Sequence, residues 1–272
     1  MTSATVGDID SMKARLKSIW TAGDYDRFSR FMVGGAREFY ERLNIAPGCR
    51  LLDVACGSGQ IALMAAKDGV EVTGVDIAGN LVERARTRAQ AEGLKARFEE
   101  ADAEALPFED ASFDIVTTLI GAMFAPRPER VAHELLRVCL PGGTLAMANW
   151  TPQGFVGQMF KTVSKFIAPS GMPAPVLWGD EDTVRRRLGH GLSELSLTRR
   201  QYLFDYPFPP SEVVEFFRLY YGPTHQAFAS LDSEGQAQLR QELETLWASH
   251  NRAGAHCTTV SAEFLEVIGI RA

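Results

Sequence analysis

Two hydrophobic rhythms divide the chain. Near the N-terminus, apolar residues recur every three or four positions, which predicts amphipathic helices. The first of these sets is Ile9, Met12, Leu16, Ile19 and Trp20. From residue 50 the pattern changes to short apolar runs without polar alternation, which is typical of parallel strands covered on both faces. Because each run is followed by a helical stretch, the pattern predicts βαβ units and a parallel sheet.

Five strands are predicted between residues 50 and 150. They are Arg50–Val54, Glu71–Asp76, Ala96–Glu99, Phe113–Leu119 and Thr144–Trp150. Pro128 favours the start of the helix before the fifth strand, and we expect Pro141-Gly142-Gly143 to end that helix. The predicted fold class is α/β, a doubly wound Rossmann-like sheet.

The region after residue 150 has a different order of elements. Alternating residues between 194 and 206 predict a long strand, and residues 258–270 predict a final one. Between them lie two helical stretches, Ser211–Tyr221 and Glu234–Ser249, for which Ser211 and Ser233 are the expected N-caps. A helical insertion therefore separates two late strands that we expect to join the same sheet.

Composition narrows the class of protein. The chain has 272 residues, of which 46% are hydrophobic, as in an ordinary soluble domain with a cap. A net charge of -6 argues against binding a nucleic-acid backbone. No apolar run approaches the roughly 20 residues of a membrane span, and residues 1–10 lack a signal-peptide pattern. We therefore expect a cytoplasmic protein that binds no nucleic acid and does not insert into a membrane.

The cysteines give no reason to expect a metal site. Cys49, Cys56, Cys139 and Cys257 are scattered and form no CxxC pair. No His/Cys spacing matches a zinc site, so we expect reduced thiols and no bound metal.

A Gly-rich turn follows the first predicted strand, in Leu51-Leu52-Asp53-Val54-Ala55-Cys56-Gly57-Ser58-Gly59-Gln60. Glycines permit positive φ and let a ligand approach the backbone closely. Residues 57–62 also fit the G-x-G-x-x-A dinucleotide fingerprint, so a nicotinamide-dependent oxidoreductase stays open as an alternative. Asp53 argues against it, because its negative charge would lie near a pyrophosphate. A ligand with sulfonium and ammonium groups suits Asp53 better.

Two further aspartates follow the next two strands. Asp76, in Val75-Asp76-Ile77, is in position to accept hydrogen bonds from ribose hydroxyls. Asp102 is in position to accept from an adenine amino group, while the N–H of Ala103 faces a ring nitrogen. Together with the turn, these residues indicate a nucleoside site.

Taken in order, these segments carry a family resemblance. They are Leu-Asp-Val-Ala-Cys-Gly-Ser-Gly, Val-Asp-Ile, Ala-Asp-Ala-Glu-Ala-Leu-Pro-Phe, Ser-Phe-Asp-Ile-Val and Arg-Val-Cys-Leu-Pro-Gly-Gly-Thr-Leu. Over residues 25–150 the chain resembles class I S-adenosylmethionine-dependent methyltransferases, in particular the small-molecule branch akin to ubiquinone/menaquinone-biosynthesis enzymes. The resemblance implies a seven-stranded sheet with a reversed last strand and S-adenosyl-L-methionine as the cofactor.

The resemblance also implies roles for individual residues. The loop 53–59 would hold the methionine part of the cofactor, Asp76 the ribose and Asp102-Ala103 the adenine. Tyr25 lies in a stretch that resembles the family's N-terminal flap. The expected cofactor-binding set is Tyr25, Asp53, Ala55, Gly57, Gly59, Asp76, Ile77, Asp102, Ala103 and Leu119.

Two segments depart from the family pattern. Ala55 stands where the family usually has the first glycine of its loop, which narrows the space around the cofactor. Gly121–Phe124 matches a segment in which many relatives carry a histidine, so no catalytic histidine transfers there. His225 is the remaining candidate for a general base. The sequence assigns no other catalytic residue.

The acceptor side is less specified. Methyl transfer needs alignment and exclusion of water, and it needs a base only if the acceptor must lose a proton. The aromatic residues expected around the site are Tyr25, Phe28, Phe124, Trp150, Phe155, Phe160, Trp178, Phe217, Tyr220 and Tyr221. They favour a small apolar or aromatic metabolite, methylated on O, N or C. A protein that binds the cofactor without transferring its methyl group is the third hypothesis.

These expectations divide the chain into three parts, and they do not specify an oligomeric state. The parts are an N-terminal helical cap (1–45), a cofactor-binding α/β core (46–150), and a C-terminal part (151–272) that completes the sheet with residues 194–206 and 258–270 and carries a helical substrate cap (207–252).

Overall fold

The computed structural model describes residues 6–168 and 171–272. Residues 1–5, which belong to the segment considered for a signal peptide, lie outside this part of the chain, as do residues 169–170. Across the described residues, no helix combines the length and apolarity needed to cross a membrane.

A seven-stranded sheet forms the centre of the fold. Its strands are β1 (Arg50–Val54), β2 (Glu71–Asp76), β3 (Ala96–Glu100), β4 (Phe113–Leu119), β5 (Cys139–Trp150), β6 (Leu192–Tyr206) and β7 (Thr258–Arg271). Their order is β3-β2-β1-β4-β5-β7-β6. The first five strands run parallel, whereas β7 is antiparallel to both β5 and β6. The α/β fold class with a reversed last strand is therefore confirmed.

Helices cover the sheet and cap one of its edges. They are α1 (Val6–Thr21), α2 (Tyr25–Ser29), α3 (Val33–Leu43), α4 (Gln60–Lys67), α5 (Gly79–Ala91), α6 (Pro128–Val138), α7 (Phe155–Val163), α8 (Glu181–Leu188), α9 (Pro210–Tyr220), α10 (Gly222–Ala229) and α11 (Ser233–His250). The predicted insertion is present as α9–α11, between β6 and β7. Sequence periodicity did not separate α10, a short helix that begins directly after α9.

Three local predictions were wrong. Pro141-Gly142-Gly143 lies inside β5 and does not end α6, and a register shift opposite Phe113–Ile115 accommodates the extra residues. Asp232, rather than Ser233, caps α11, because its carboxylate accepts the N–H of Gly235 at 2.9 Å. Ser211 does not cap α9: the residue before the helix is Pro209, and no side chain caps it. Pro210 is the first residue of α9, and its fixed φ suits the first turn of a helix.

The N-terminal helices and the insertion pack together as one cap. α1 lies against α10, and α2 lies against α9. Gly222 permits the closest approach, since a Cβ at that position would be 2.1 Å from the carbonyl oxygen of Ile19. The cap is therefore built from both ends of the sequence.

Candidate active site

A large cavity lies at the carboxyl ends of the parallel strands. It contains about 1300 Å³ of empty space, part of which is open to solvent. Residues that follow β1, β2, β3 and β4 form one side, and residues of α1, α2, α7 and α9 contribute to the other. Open α/β sheets bind ligands at this edge.

Nine of the ten residues predicted to bind the cofactor line this cavity. They are Tyr25, Asp53, Ala55, Gly57, Asp76, Ile77, Asp102, Ala103 and Leu119. Gly59 is the exception. It caps the start of α4 with φ +84°, and a Cβ there would lie 3.2 Å from Ala85 and 3.3 Å from the ring of Phe98. Gly59 therefore serves helix packing next to the cavity.

Asp76 holds the Gly-rich turn in place. One carboxylate oxygen accepts the N–H of Gly57 at 2.8 Å, and the other accepts the N–H of Ala78 at 2.8 Å. The carboxylate thereby ties the turn after β1 to the end of β2. Each oxygen keeps a second lone pair for a ligand. Burial raises the pKa of Asp76, and these N–H bonds partly oppose the rise.

Asp53 is the most deeply buried acid of the turn. It is only 1% exposed and accepts the N–H of Ala62 at 3.2 Å. Burial raises its pKa to about 7, and the charge of Asp76 adds to the effect. Its carboxyl group therefore changes charge near neutral pH, and a cation next to it would favour the ionised form.

Ala55 and Gly121 fit each other across the cavity. Ala55 adopts φ +57°, a left-handed angle that usually favours glycine. A Cβ on Gly121 would lie 2.4 Å from the Ala55 Cβ and 2.7 Å from its carbonyl oxygen. Gly121 therefore leaves the space that the Ala55 methyl group fills. Ala55 and Gly121 are therefore packed directly against each other.

A lysine contact was not predicted from the sequence. The Lys13 ammonium on α1 lies 2.5 Å from Asp102 and 2.7 Å from the buried carboxylate of Glu104. Lys17, one helical turn later, pairs with Glu100. The two lysines hold α1 over the segment that follows β3. The sequence shows acidic residues at every second position from Glu100 to Glu104 and two lysines four residues apart. It does not show that the lysines pair with these acids.

Aromatic side chains form the other side of the cavity. We name as the aromatic chamber Trp20, Tyr25, Phe28, Phe124, Trp150, Phe204, Phe217 and Tyr221, all of which line the cavity. Six of them belong to the predicted aromatic set, and Trp20 and Phe204 were missed because their spacing indicated only a helix and a strand. The predicted residues Phe155, Phe160, Trp178 and Tyr220 do not line it.

Ring contacts make the chamber continuous with the Gly-rich turn. Trp20 lies 5.6 Å from Tyr25, 5.0 Å from Phe124 and 5.8 Å from Tyr221, measured between ring centroids. Tyr25 also lies 3.5 Å from the position of a Cβ on Gly57. Burial raises the pKa of both Tyr25 and Tyr221, so their hydroxyls stay protonated. Tyr25 is thus the junction between the two sides.

The structure does not bring His225 to the cavity. Its Nδ1 lies 3.1 Å from the carbonyl oxygen of Arg218, and the residue is absent from the cavity wall. Within residues 6–168 and 171–272, no group of three or more His, Cys, Asp or Glu side chains is arranged to hold a metal ion.

Comparison with known proteins agrees with this geometry. Residues 52–147 match the family described as a methyltransferase domain. An uncharacterized protein of Mycobacterium tuberculosis is 37% identical over 246 residues, which cover 88% of this chain and 89% of that protein. The demethylmenaquinone methyltransferase of Thermus thermophilus is 38% identical over 155 residues, which cover 53% of this chain and 70% of the enzyme.

A solved structure shows the same fold. The phosphoethanolamine N-methyltransferase 2 of Haemonchus contortus, in complex with phosphomonomethylethanolamine and S-adenosylhomocysteine, superimposes with a TM-score of 0.56 at 17% identity. The match covers 88% of this chain and 52% of that chain. Motifs, strand order and relatives agree, and the chain belongs to the class I methyltransferases that use S-adenosylmethionine as cofactor.

Proposed function

We propose that the protein methylates an O, N or C atom of a small, apolar or aromatic metabolite. The observation that carries this proposal is that Asp53, Asp76, the Gly-rich turn and the aromatic chamber line one continuous cavity, with Tyr25 in contact with both the turn and the chamber. The name of the Thermus thermophilus relative, a demethylmenaquinone methyltransferase, supports an acceptor of this class. The proposed partner is this small molecule, without nucleic acid or membrane.

The residues of the sheet-edge side fit S-adenosylmethionine. Asp53 suits its positive charges, and the spare lone pairs of Asp76 suit the ribose hydroxyls. The N–H of Ala103 and the carboxylate of Asp102 suit the adenine edge, although Asp102 already receives Lys13. Gly57 has no side chain, so the space between its backbone and the ring of Tyr25 can hold part of a ligand.

The chain contributes alignment and exclusion of water. S-adenosylmethionine supplies a methyl carbon that its positively charged sulfur makes reactive. The turn after β1 fixes the donor side, and the chamber holds the acceptor against it. Trp20 and Leu16 on α1 cover the cavity, so this helix limits the entry of water.

Calorimetry with S-adenosylmethionine and S-adenosylhomocysteine tests the proposal. We expect both compounds to bind. Asp76→Ala should lower the affinity for both by at least about tenfold, because the same carboxylate holds the Gly-rich turn and would accept hydrogen bonds from the ribose. Asp182→Ala is the matched control, since Asp182 is exposed on α8 away from the cavity. Failure of both compounds to bind would overturn the proposal, and protection by NAD alone would favour an oxidoreductase.

Transfer is tested separately from binding. Cell extract incubated with the protein and methyl-labelled S-adenosylmethionine should yield a labelled small molecule that organic solvent extracts. Binding without any labelled product would favour a non-catalytic cofactor-binding protein.

A further inference from the structure

The acidic groups of the cavity lie at the carboxyl ends of β1, β2 and β3, on the side that we call the cofactor side. Among the described residues that line the cavity, the acidic and basic side chains are Asp53, Asp76, Asp102 and Lys13, which reaches this side from α1. Lys13 is already paired with Asp102 and Glu104. The aromatic chamber therefore holds no cation that could stabilise an anionic acceptor, and the negative charge of Asp76 acts on Tyr25. An unpaired anion buried there would be strongly disfavoured.

The chamber also lacks a group that could remove a proton. Its own polar atoms are the Trp20 and Trp150 indole N–H groups and the hydroxyls of Tyr25 and Tyr221. An indole N–H only donates, and burial keeps both hydroxyls protonated. Asp53 accepts the N–H of Ala62 in the first turn of α4, and so belongs to the cofactor side. An acceptor that must be deprotonated before attack finds no base in the chamber.

Aromatic faces favour a cation, in contrast. The rings of Phe28 and Tyr221 are stacked at 4.8 Å, and Trp20 lies edge-on to Tyr221 at 5.8 Å. All three of these rings line the cavity. The negative face of an aromatic ring attracts a cation most strongly where water is excluded.

Resting on the proposed function, we infer that the acceptor atom is an uncharged nitrogen with no proton to lose, such as the ring nitrogen of a weakly basic aromatic heterocycle. Its lone pair forms the new bond to the methyl carbon as the bond from that carbon to sulfur breaks. The electron pair of the broken bond stays on sulfur, which becomes neutral, while nitrogen becomes positive. One positive charge moves into the aromatic chamber, and no proton has to leave.

The decisive measurement compares three probes of similar shape on the protein loaded with S-adenosylhomocysteine. They are N-methylquinolinium, a cation; alpha-methylnaphthalene, its neutral counterpart; and alpha-naphthoate, an anion. Quenching of the tryptophan fluorescence reports occupancy, since Trp20 and Trp150 line the chamber. We expect the cation to bind about tenfold more tightly than the neutral probe, and the anion most weakly. Equal binding of cation and neutral probe, or preference for the anion, would overturn the inference.

Two variants of Tyr221 locate the effect. Tyr221→Phe keeps the ring face and should keep the preference for the cation. Tyr221→Leu removes the face and should abolish most of it, with unchanged affinity for S-adenosylhomocysteine as the check on folding. If Leu and Phe variants behave alike, the ring face has no role. Trp20→Leu provides a second test of the same face if Tyr221→Leu loses the cofactor product.

An activity comparison completes the test. With labelled S-adenosylmethionine, quinoline should be methylated in preference to alpha-naphthol, and the reverse order would contradict the inference. Failure to bind S-adenosylhomocysteine would instead contradict the proposed function, so the two failures are distinguishable.

Discussion

The two sides of the cavity are built in opposite ways. The cofactor side is charged and made from short turns that directly follow consecutive strands, with Asp53, Asp76 and Asp102 each a few residues from a strand end. The chamber side is uncharged and takes its rings from α1, α2, β5, β6 and α9, far apart in the sequence. The positions of the residues on the first side are determined by local chain geometry, and those on the second depend on how distant segments pack. The first side therefore suits a charged ligand, and the second suits an uncharged one.

The largest expected effect comes from adding a methyl group at Gly121, which lies against Ala55. Gly121→Ala would place a Cβ 2.4 Å from that of Ala55. We expect a loss of about 1–3 kcal/mol in the free energy of unfolding, as for other overpacked sites, and a clear loss of S-adenosylhomocysteine affinity. Thermal unfolding and calorimetry measure the two effects.

The double variant Ala55→Gly/Gly121→Ala is the informative control. It removes the contact between the two Cβ atoms, but the carbonyl oxygen of residue 55 still lies 2.7 Å from the new Cβ. The φ of -84° at Gly121 is itself ordinary, so we expect only part of the lost stability and affinity to return. Gly189→Ala, where a Cβ meets nothing within 4 Å, should change little. An unaffected Gly121→Ala single variant would contradict the pairing.

The second expected effect concerns the charge of the cofactor side. Asp53 has a pKa of about 7, so it is largely protonated below that value. Cationic S-adenosylmethionine favours the ionised form, and affinity should therefore rise between about pH 6 and about pH 8, with release of a proton on binding. Calorimetry in buffers of different ionisation enthalpy measures this release. Asp76 and Cys56 interact with Asp53, so a variant is needed to assign the pH dependence to Asp53 itself. The Asp53→Asn variant should bind S-adenosylmethionine more weakly, and its affinity should depend less on pH.

The unligated protein should respond to pH with the opposite sign. Because burial raises the pKa of Asp53 in the folded state, the unfolded chain binds fewer protons between about pH 4 and about pH 7. This residue therefore lowers the free energy of unfolding as the pH rises through that window. The free energy of unfolding of Asp53→Asn, relative to that of the natural sequence, should therefore be higher at about pH 8 than at about pH 4. A difference that does not depend on pH would contradict the assignment.

The smallest expected effect lies in the contact that links α1 to the cofactor side. Lys13→Met removes the ammonium from Asp102 and Glu104, and we expect S-adenosylhomocysteine to dissociate about threefold to tenfold faster, since partly buried pairs exceed the small contribution of surface pairs. Stopped-flow fluorescence measures the rate. Lys17→Met is the matched control, because Lys17 and Glu100 are both nearly half exposed. Equal rates in the two variants would show that the position of Lys13 has no special effect.

The contrast between the sides also explains how far the sequence could be interpreted. The α/β class followed from the hydrophobic pattern, and the reversed last strand followed from the family resemblance. Nine of the ten residues predicted to bind the cofactor line the cavity, because their motifs are short and directly follow strands. Lys13 was missed because its partner lies 89 residues away. Trp20 and Phe204 were missed because an aromatic residue on a buried helix face or strand face looks the same whether it lines a cavity or a core. Side-chain caps failed where a neighbouring aspartate or proline competed, as at Asp232 and Pro209.

The contact of Gly121 with Ala55 also constrains how this sequence can change. A side chain at position 121 would meet the methyl group of Ala55 at 2.4 Å and the carbonyl oxygen of the same residue at 2.7 Å. Because every amino acid at position 55 keeps that carbonyl oxygen, replacing Ala55 by glycine removes only the first of the two contacts. Glycine at position 121 is therefore required by the backbone as well as by a neighbouring side chain, and any larger residue there needs a shift of the turn after β1.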